Sequence, residues 1–376
     1  MRNMQVVVWD YSKTGMEWLD QFAENLDIME LVSINGEDDT IPLSYLRENS
    51  EWEYLLVFEF GATAQIIRLL ELSQIPLEKV IFCYDNASLW EHRKAVCYMM
   101  NDTIQRLMEY HNLGLYNHYI SVTVENGISY LGRSSDQCIM NQMFTMRENW
   151  SASDMKTFHE LSSRFYSPTD EQKLFCDIGA NIGTTCIYFQ KCLDPSVEIL
   201  AFEPMPETFQ MLAINIALNG LAGSATLEKK GLSDQEAEST FHYNASNPGG
   251  SSFVNDSSSE VSVTVYTTTF DSYLKENKIR PETIKYLWVD VEGFEAAFIK
   301  GAMDTLRSIT APLVMEFTPF LLQKQGRFHE LIENLTELYA GYIELSDPDT
   351  IIHQIDDLTQ FAEENEMFQK DLFFLK

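Results

Sequence analysis

Apolar runs alternate with helix-compatible segments at the start of the chain. Residues 1–90 contain four runs rich in β-branched and aromatic residues, QVVVWDY, MELVSIN, EYLLVFEF and KVIFCYD, and a helical pattern, ATAQIIRLLELSQ, separates the last two. Strands that are covered on both faces form continuous apolar runs, and their alternation with helices is typical of a parallel sheet. The pattern predicts a small doubly wound α/β unit.

The same alternation resumes at Leu174 and continues to the C-terminus. The predicted strands are LFCDIGA, EILAFEP, ATLEKKGLSD, KYLWVDVEG, APLVMEFTP, GYIELS and DLFFLK, the last as an edge or antiparallel strand. Predicted helices cover residues 182–193 and 207–219 and the segment FEAAFIKGAMDTL. STFHYN and VSVTVYTT flank a polar loop rich in Gly, Ser and Asn, which predicts an antiparallel pair. Together these segments predict a second, larger α/β domain.

The residues between these two regions follow a different pattern. YISVTVENGISYLG alternates apolar and polar residues around Asn126-Gly127, a dipeptide that strongly favours a two-stranded hairpin. A helical pattern, SASDMKTFHELSSRFY, follows and opens with residues that favour a helix N-cap. We therefore predict a Rossmann-like accessory domain at 1–112, a bridging hairpin and helix at 113–170, and the main domain at 171–376.

The net charge of −31 limits the partners of the protein. Such a surface repels phosphate backbones, so we expect no nucleic acid partner. No apolar stretch approaches the ~20 residues that span a bilayer, and the N-terminus, MRNMQVVVWDYSK, lacks a signal-peptide pattern. None of the six cysteines has the spacing of a zinc site. These features predict a cytoplasmic protein in a reducing compartment.

The segment LFCDIGANIGTTCIYF contains a candidate ligand site. An apolar strand ends at Asp177, Gly179 and Gly183 permit a sharp turn, and a helix follows. In open α/β sheets, ligands bind at the carboxyl ends of the strands near the topological switch point. Glu203 ends the next strand, where a carboxylate can accept hydrogen bonds from a ribose diol. The segment predicts a ligand that contains a nucleoside, and a tight turn without any ligand is the alternative.

The spacing of the glycines distinguishes between two cofactors. A nicotinamide dinucleotide requires G-x-G-x-x-G, so that the backbone reaches its pyrophosphate. This turn has D-x-G-x-N-x-G instead. It indicates an adenosine without phosphates and with a cationic amino-acid tail, which describes S-adenosylmethionine, and Asp177 would favour the cationic end.

Two acidic residues mark the end of another predicted strand. Asp290 and Glu292 in KYLWVDVEG are two positions apart, so their carboxylates point to the same face at the carboxyl end of the strand. Like charges on one face of an apolar strand are costly without a partner. The pair predicts a functional site, and two solvated acids at a strand end are the alternative.

Six motifs occur in order along the second half of the chain: DIGANIGTT, AFEPMPETF followed by NIALNG, GLSD, TTTFDSYL, VDVEGFEAAFIKGA and PLVMEFTP. Their combination resembles the FkbM-type family of S-adenosylmethionine-dependent methyltransferases, well over residues 172–319 and loosely over 320–376. The resemblance implies a class I methyltransferase fold, in which a seven-stranded, mostly parallel sheet has one antiparallel strand near its end. It also implies methylation of a hydroxyl oxygen, often on a sugar or a polyketide.

The resemblance also assigns roles to individual residues. Those expected on the methionine side are Asp177, Gly179, Ala180, Asn181 and Gly183. Those expected at the adenosine are Glu203 (ribose), Pro204 and Met205 (flanks), and Ser233 and Asp234 (adenine edge). Those expected at the methyl-transfer end are Asp290, Glu292 and, nearby, Glu316. One departure is Trp288, at a position where family members often have a lysine.

The implied chemistry requires a positioned hydroxyl and an acceptor for its proton. Methyl transfer is an in-line displacement, so most of the catalysis comes from orienting the oxygen toward the methyl carbon. Asp290 or Glu292 is the expected general base, because the proximity of two acids raises one pKa. His242 and His329 are alternative bases. A carboxylate pair could hold a divalent metal, but with only two nearby ligands we expect none.

The N-terminal unit has a single glycine, Gly15, in its predicted first βα turn. It resembles nucleotide-sugar-binding Rossmann domains that precede FkbM domains, but the degenerate turn argues against tight dinucleotide binding. We therefore expect a docking or dimerisation unit, with a homo-oligomer as one outcome. For the whole chain we predict a cytoplasmic O-methyltransferase with a sugar or other small-molecule acceptor. A non-catalytic scaffold for glycan assembly and an NAD(P)-dependent oxidoreductase are the alternatives.

Overall fold

The computed structural model divides the chain into two compact units, Met1–Leu115 and Tyr116–Lys376. In the first unit, the described residues are 4–9, 26–33, 41–42, 44–48, 51–52, 54–57, 70, 72–75 and 80–82. In the second unit, they are 119–136, 138–243, 261–346, 352–364 and 369–376. The domain limits at residues 112 and 170 stay predictions, and the hairpin and helix expected between them lie in the second unit.

The described residues of the first unit form one parallel sheet. Its strands are β1 (Met4–Trp9), β2 (Leu26–Ser33), β3 (Ile41–Pro42), β4 (Tyr54–Val57) and β5 (Val80–Phe82), and a short helix α1 (Tyr45–Glu48) precedes β4. Their order is β3-β2-β1-β4-β5, and neighbouring strands are parallel. The sheet thus grows outward in both directions from β1, which confirms the doubly wound arrangement. Gly15 and most of the predicted helix ATAQIIRLLELSQ lie outside the described residues.

In the second unit, a hairpin and two helices come before the main sheet. They are β6 (Tyr119–Thr123), β7 (Ser129–Arg133), α2 (Ile139–Met146) and α3 (Ala152–Phe165). Asn126 and Gly127 connect the antiparallel hairpin strands with φ angles of 60° and 70°, which confirms the turn expected from this dipeptide. Asp136 accepts hydrogen bonds from the N–H groups of Cys138 and Ile139 at 2.8 and 3.0 Å, and thereby caps α2.

A large mixed sheet forms the centre of the second unit. The further strands are β8 (Leu174–Ile178), β9 (Glu198–Phe202), β10 (Ala225–Glu228), β11 (Gly231–Leu232), β12 (Ala237–Tyr243), β13 (Val261–Thr268), β14 (Ile284–Val289), β15 (Leu313–Phe317), β16 (Gly341–Glu344) and β17 (Lys370–Leu375). Seven of them form the order β10-β9-β8-β14-β15-β17-β16. In this described sheet, β17 runs opposite to the other six strands. The seven-stranded sheet is confirmed, and β17 lies inside it and not at its edge.

The remaining helices connect these strands. They are α4 (Thr184–Tyr188), α5 (Pro206–Leu218), α6 (Phe270–Glu276), α7 (Glu295–Gly301), α8 (Met303–Ser308), α9 (Pro319–Lys324), α10 (Phe328–Leu338) and α11 (Asp357–Glu364). A π-helical turn, Phe189–Leu193, continues α4. In a separate small sheet, β13 pairs with β11 in parallel and with β12 in antiparallel, which confirms the predicted strand pair. None of the described helices has the length and apolar character needed to cross a membrane.

Trp288 belongs to the core of the second unit. It is 3% exposed, and its ring packs edge-on against Phe158 of α3 with the ring centroids 5.7 Å apart. Tyr286, two residues earlier on β14, packs against Phe158 and Phe189. Side chains two positions apart on a strand share a face, so this aromatic pair fixes α3 to the sheet. Helix α3 therefore covers the position where the family often has a lysine, and an aromatic ring fills the space.

Candidate functional site

The order of the main sheet creates a topological switch point at β8. From β8 the chain continues to β9 and β10 on one side, and it later returns to β14 and β15 on the other. The carboxyl ends of these strands border a cavity of about 480 Å³. Ligands of open α/β sheets bind at this place. The predicted residues that line the cavity are Gly179, Asn181, Glu203, Pro204, Met205, Asp290, Glu292 and Glu316.

Gly179 lets the turn after β8 pass directly against the end of β14. Its φ is 89°, and a Cβ atom built on it would lie 1.8 Å from the carbonyl oxygen of Asp290. The N–H groups of Gly179 and Ala180 both donate to the carbonyl oxygen of Phe202, at 3.0 and 2.9 Å. Backbone angle and space therefore both exclude a side chain here. The glycine requirement has a specific cause, which is the close approach of two strand ends.

Three predicted turn residues, Asp177, Ala180 and Gly183, shape the turn and are not among the residues that line the cavity. The buried Asp177 carboxylate accepts a hydrogen bond from the Cys186 N–H of α4 at 3.2 Å. Burial raises the pKa of Asp177 to about 7. Gly183 has a φ of 91° and lies against Leu212 of α5. Asp177 thus supports the turn from inside the protein.

Glu203 places a buried carboxylate on the cavity wall at the end of β9. It is 6% exposed, and its oxygens accept hydrogen bonds from the Asn181 N–H at 3.0 Å and the Met205 N–H at 2.8 Å. Burial raises the pKa of Glu203 to about 7, and the two N–H donors limit the rise. A carboxylate has about four lone-pair sites, so Glu203 can also accept hydrogen bonds from the hydroxyls of a ligand.

Asp290, Glu292 and Glu316 form a carboxylate cluster at the ends of β14 and β15. One oxygen from each lies within 4.8 Å of the others. Burial raises the pKa of Asp290 to about 6, and burial together with neighbouring carboxylates raises the pKa values of Glu292 and Glu316 well above their ordinary value. Asp371 at the start of β17 interacts with this cluster. Burial and the charge of Asp290 raise the pKa of Asp371 to about 8.

The backbone and two side chains hold the carboxylate cluster in place. Glu292 has a φ of 49° and Gly293 a φ of 89°, so the chain after β14 turns through the left-handed region. Non-glycine residues in strained backbone regions concentrate at functional sites. The side chain of Gln369 donates a hydrogen bond to Glu316, and the Thr318 hydroxyl donates to it at 3.5 Å. Glu316 is therefore held by two side-chain hydrogen-bond donors.

The other predicted residues are not part of the cavity wall. Ser233 and Asp234 do not line it, and the Asp234 carboxylate forms an ion pair with Arg327 at 2.8 Å. His329 lines a separate cavity on the same unit. His242 lies in β12, and its side chain is outside the described residues. The structure thus brings the two strand-end acids to the cavity and leaves His329 away from it.

Sequence reasoning missed several residues that complete the lining. These include Cys138, Trp150, Asp154, Thr208, Lys230, Gln369, Lys370 and Asp371. Because β17 runs antiparallel to β15, its first residues lie at the edge where the parallel strands end. DLFFLK was predicted as an edge or antiparallel strand, and in the antiparallel case its polar start was a usable signal for Asp371. Trp150 and Asp154 had no comparable signal, since they reach the cavity through the docking of a separate segment.

The cavity wall is strongly acidic. Of the described residues that line it, the charged ones are Asp154, Glu203, Asp290, Glu292, Glu316 and Asp371 on the acidic side and Lys230 and Lys370 on the basic side. Lys370 also pairs with Glu344. This excess of acidic residues favours a cationic ligand, because a positive charge beside them stabilises their ionised form. Clustered carboxylate oxygens also suit a hard divalent cation, and Asp290, Glu292 and Glu316 are the residues that could hold one.

The fold and the site together define a class of protein. A seven-stranded sheet with an interior antiparallel strand, and a glycine turn at its switch point, is the class I methyltransferase fold that the motifs implied. Residues 177–343 match the family described as the methyltransferase FkbM domain. These residues form an FkbM methyltransferase domain within the second unit. The predicted family is thus confirmed for this domain, and a methyltransferase that uses S-adenosylmethionine is what a domain of this family implies.

Two named methyltransferases are similar to part of the chain. It is 28% identical over 172 residues to hexuronic acid methyltransferase AglP of Haloferax volcanii, a match that covers 45% of this chain and 66% of that protein. It is 36% identical over 78 residues to methyltransferase sdnD of Sordaria araneosa, which covers 21% of this chain and 30% of that protein. In both cases the chain spans less than two thirds of the relative.

Solved structures with a similar arrangement include two methyltransferases. Methyltransferase FkbM from Methylobacillus flagellatus aligns over 99% of this chain and 90% of its own, with a TM-score of 0.36 and 11% identity. The O-methyltransferase from Bacillus cereus in complex with SAH aligns over 60% of this chain and 82% of its own, with a TM-score of 0.34 and 11% identity. The fold class itself follows from the strand order and strand directions given above.

Proposed function

We propose that this chain transfers the methyl group of S-adenosylmethionine to a hydroxyl oxygen of a small acceptor of the saccharide type. The observation that supports this most directly is one cavity that is bordered both by the glycine turn with Glu203 and by the carboxylates of Asp290, Glu292 and Glu316. The residues that we assign to cofactor binding and to proton acceptance thus line the same cavity. Methyl transfer depends on this proximity, because the acceptor oxygen must approach the methyl carbon in line with the S–C bond.

The turn after β8 and the end of β9 would hold the cofactor. Glu203 would accept hydrogen bonds from the ribose hydroxyls, and Pro204 and Met205 would flank the adenosine. Gly179 leaves room for the methionine moiety. The Oδ1 atom of Asn181 is buried and has no hydrogen-bond partner among the described residues. Buried polar atoms rarely stay unpaired, so a donor on the cofactor would complete this site.

The reaction breaks the bond between the sulphonium sulphur and the methyl carbon, and a new bond forms from that carbon to the acceptor oxygen. S-adenosylhomocysteine leaves as the demethylated product, and the hydroxyl proton passes to a carboxylate. We assign that carboxylate to Asp290 or Glu292. A general base works best when its pKa lies near the operating pH. Burial brings the pKa of Asp290 to about 6, so it is ionised at neutral pH and still more basic than an ordinary aspartate.

The charge of the cavity supports a neutral acceptor. The similar protein AglP is named for a hexuronic acid, which carries a carboxylate. In this chain a uronate would add a negative charge beside six acidic residues. Like charges at close range raise the electrostatic free energy unless one of them takes up a proton. We therefore propose a neutral sugar hydroxyl as the acceptor.

A labelling experiment with matched acceptors tests this proposal. The full-length protein would be incubated with S-adenosylmethionine that carries a deuterated methyl group and with paired neutral glycosides and their uronic acid counterparts. We expect mass spectrometry to find the label on the neutral member of a pair. Equal or preferred labelling of the uronic acid would contradict the proposed acceptor.

Calorimetry with the unlabelled cofactors separates the alternative classes. Binding of S-adenosylhomocysteine without transfer to any acceptor would favour a non-catalytic scaffold. Binding of NAD(P), with no binding of S-adenosylmethionine or its product, would favour an oxidoreductase. The proposal requires both cofactor binding and transfer.

A further inference from the structure

Two asparagines of the NIALNG motif, Asn215 in α5 and Asn219 directly after it, pair with the open edge of β7. The Asn215 side chain accepts a hydrogen bond from the Leu131 N–H at 2.6 Å and donates one to the Leu131 carbonyl oxygen at 3.0 Å. Asn219 does the same with Ser129, at 3.1 and 2.8 Å. Four helical residues rise about 6 Å and two strand residues about 6.8 Å. The spacing of the two side-chain amides therefore matches the spacing of alternate residues in β7. They pair with β7 as the backbone of a neighbouring strand would.

A third hydrogen bond distinguishes the two asparagines. Nδ2 of Asn215 also donates to the carbonyl oxygen of Ile182 at 2.8 Å, and Ile182 lies in the glycine turn between Asn181 and Gly183. Nδ2 of Asn219 instead donates to the carbonyl oxygen of Asn215 at 2.8 Å, within the same helical segment. Asn215 is 0% exposed, so its own amide does not reach water and depends on these hydrogen bonds. Asn215 joins the hairpin to the turn, and Asn219 joins the hairpin to the helix alone.

The hairpin also contacts the wall of the cavity. The Tyr130 hydroxyl of β7 donates to Oδ1 of Asn149 at 2.5 Å, and Nδ2 of Asn149 donates to the carbonyl oxygen of Trp150 at 2.6 Å. Nδ2 of Asn149 also donates to the carbonyl oxygen of Thr184 at the start of α4 at 3.3 Å, and the Tyr130 hydroxyl lies 3.3 Å from the same oxygen. Trp150 lines the cavity. Two adjacent residues of β7 therefore connect the hairpin to the site. Leu131 connects to the glycine turn through Asn215, and Tyr130 connects to the cavity wall through Asn149.

We propose that Asn215 is a positioning residue that couples the hairpin to the glycine turn after β8. The cavity wall at Trp150, which the hairpin contacts through Asn149, is coupled to the same turn. Cofactor binding then stabilises the docked hairpin, and a docked hairpin strengthens cofactor binding by the same factor, because coupling between two equilibria is reciprocal. Asn215 does not line the cavity, so its effect passes through Ile182 to the neighbouring Asn181, which does. This inference rests on the proposed binding of S-adenosylmethionine.

The two asparagines form a matched pair of test positions in the full-length protein. Asn215→Ala and Asn219→Ala each remove one amide that pairs with β7, but only Asn215→Ala also releases Ile182. We expect both variants to lower the midpoint of thermal unfolding. Asn215→Ala should raise the calorimetric Kd for S-adenosylhomocysteine about tenfold, and Asn219→Ala by less than about twofold. An equal change of Kd in two folded variants, or no change in either, would overturn the proposal.

A measurement on the wild-type protein covers the case in which Asn215→Ala does not fold. Saturating S-adenosylhomocysteine should slow amide hydrogen exchange at Leu131, although β7 does not line the cavity. Unchanged exchange across Ser129–Arg133 with the ligand bound would refute the coupling. Failure of the proposed function has a different signature, since the wild-type protein would then show no calorimetric binding of S-adenosylhomocysteine. That result would overturn the proposed function and this inference together.

Discussion

Gly179 lies so close to the carbonyl oxygen of Asp290 that a Cβ atom on the glycine would come within 1.8 Å of it. Gly179 belongs to the turn that we assign to the cofactor, and Asp290 belongs to the carboxylate cluster. The Asp290 N–H also donates to the carbonyl oxygen of Ile178, one residue before the glycine, at 2.9 Å. The two parts of the site are therefore joined through the backbone, and a displacement of the turn would also displace the strand end that carries Asp290.

We expect Gly179→Ala to destabilise the protein and to weaken the binding of S-adenosylhomocysteine. A left-handed backbone conformation costs a non-glycine residue about 1–2 kcal/mol, and the overlap with Asp290 adds to that cost. Gly220→Ala is the matched control, because Gly220 has a φ of 75° and no atom of the described residues lies within 4 Å of an added Cβ. Urea unfolding would compare the two variants. A loss for Gly179→Ala that does not exceed the loss for Gly220→Ala would show that the close contact has no energetic role.

The raised pKa values predict that the ligand-free protein loses stability as the pH rises. Burial moves the pKa of Glu203 from 4.5 to about 7 and that of Asp371 from 3.8 to about 8. At pH values between the unfolded-state and folded-state pKa of each group, the folded protein binds more protons than the unfolded protein. These groups therefore make the free energy of unfolding decrease with increasing pH. Urea unfolding at about pH 5.5 and about pH 7.5 measures this slope. Asp371→Asn should make the slope shallower, and an unchanged or steeper slope would contradict the assignment.

The same carboxylates should make the choice between cofactor and product depend on pH. S-adenosylmethionine carries a positive sulphonium, and S-adenosylhomocysteine has a neutral sulphur at that position. Ionised carboxylates stabilise the sulphonium, and protonated ones do so much less. Because burial brings the pKa of Asp290 to about 6, we expect the ratio of the two affinities to shift toward S-adenosylmethionine between about pH 5.5 and about pH 7.5. Competition binding at both pH values would show it, and a constant ratio would place the sulphonium away from the cluster.

Local sequence patterns predicted the elements of the fold because those patterns reflect local geometry. The apolar runs located the strands, and Asn126-Gly127 located the hairpin turn, since both depend on residues close together in the chain. The position of β17 between β15 and β16 could not be predicted in this way. Packing against residues that are distant in the chain decides whether an apolar antiparallel strand lies inside a sheet or at its edge. Such tertiary contacts outweigh the local preference of a strand.

In the candidate site too, local patterns predicted some residues and long-range packing decided others. The glycine turn and the acids at the ends of β9 and β14 follow strand ends directly, and the structure brings Glu203 and Asp290 to one cavity. Asp234 was expected beside the adenine on family resemblance alone, but it pairs with Arg327 of the α9–α10 connection. Asp371 and Trp150 reach the cavity only because β17 and the segment before α3 pack there. Contacts between residues far apart in the chain leave no periodic signal in a single sequence.

Asp234 and Glu203 give opposite expectations for cofactor binding. Asp234 lies outside the cavity lining in an ion pair with Arg327, so Asp234→Asn should leave the Kd for S-adenosylhomocysteine within about twofold of the wild-type value. Glu203→Gln should raise it at least about tenfold, since loss of a charged hydrogen-bond acceptor costs about 1.5–3 kcal/mol. Calorimetry on both variants decides between the structural placement and the family-based expectation. A large effect of Asp234→Asn would favour the family-based one.

Asp290→Asn and Glu292→Gln should separate the role of general base from the role of cofactor support. Both changes keep the shape of the side chain and remove its charge. A general base contributes about 10²–10⁴-fold to the rate, so loss of turnover on that scale with normal cofactor affinity would identify the base. Parallel loss of binding and turnover in both variants would instead indicate that the pair serves the sulphonium.

Glu316→Gln is the control for the last prediction, because Glu316 lies in the same cluster but already accepts hydrogen bonds from Gln369 and Thr318. Hydrogen bonds to a carboxylate stabilise its charged form, so they make it a poorer proton acceptor for a substrate. We therefore expect Glu316→Gln to reduce turnover less than the more damaging of the other two substitutions, in steady-state assays on a confirmed acceptor. If Glu316→Gln alone abolishes turnover while cofactor binding persists, the base is Glu316, and the strand-end pair of β14 has an electrostatic role only.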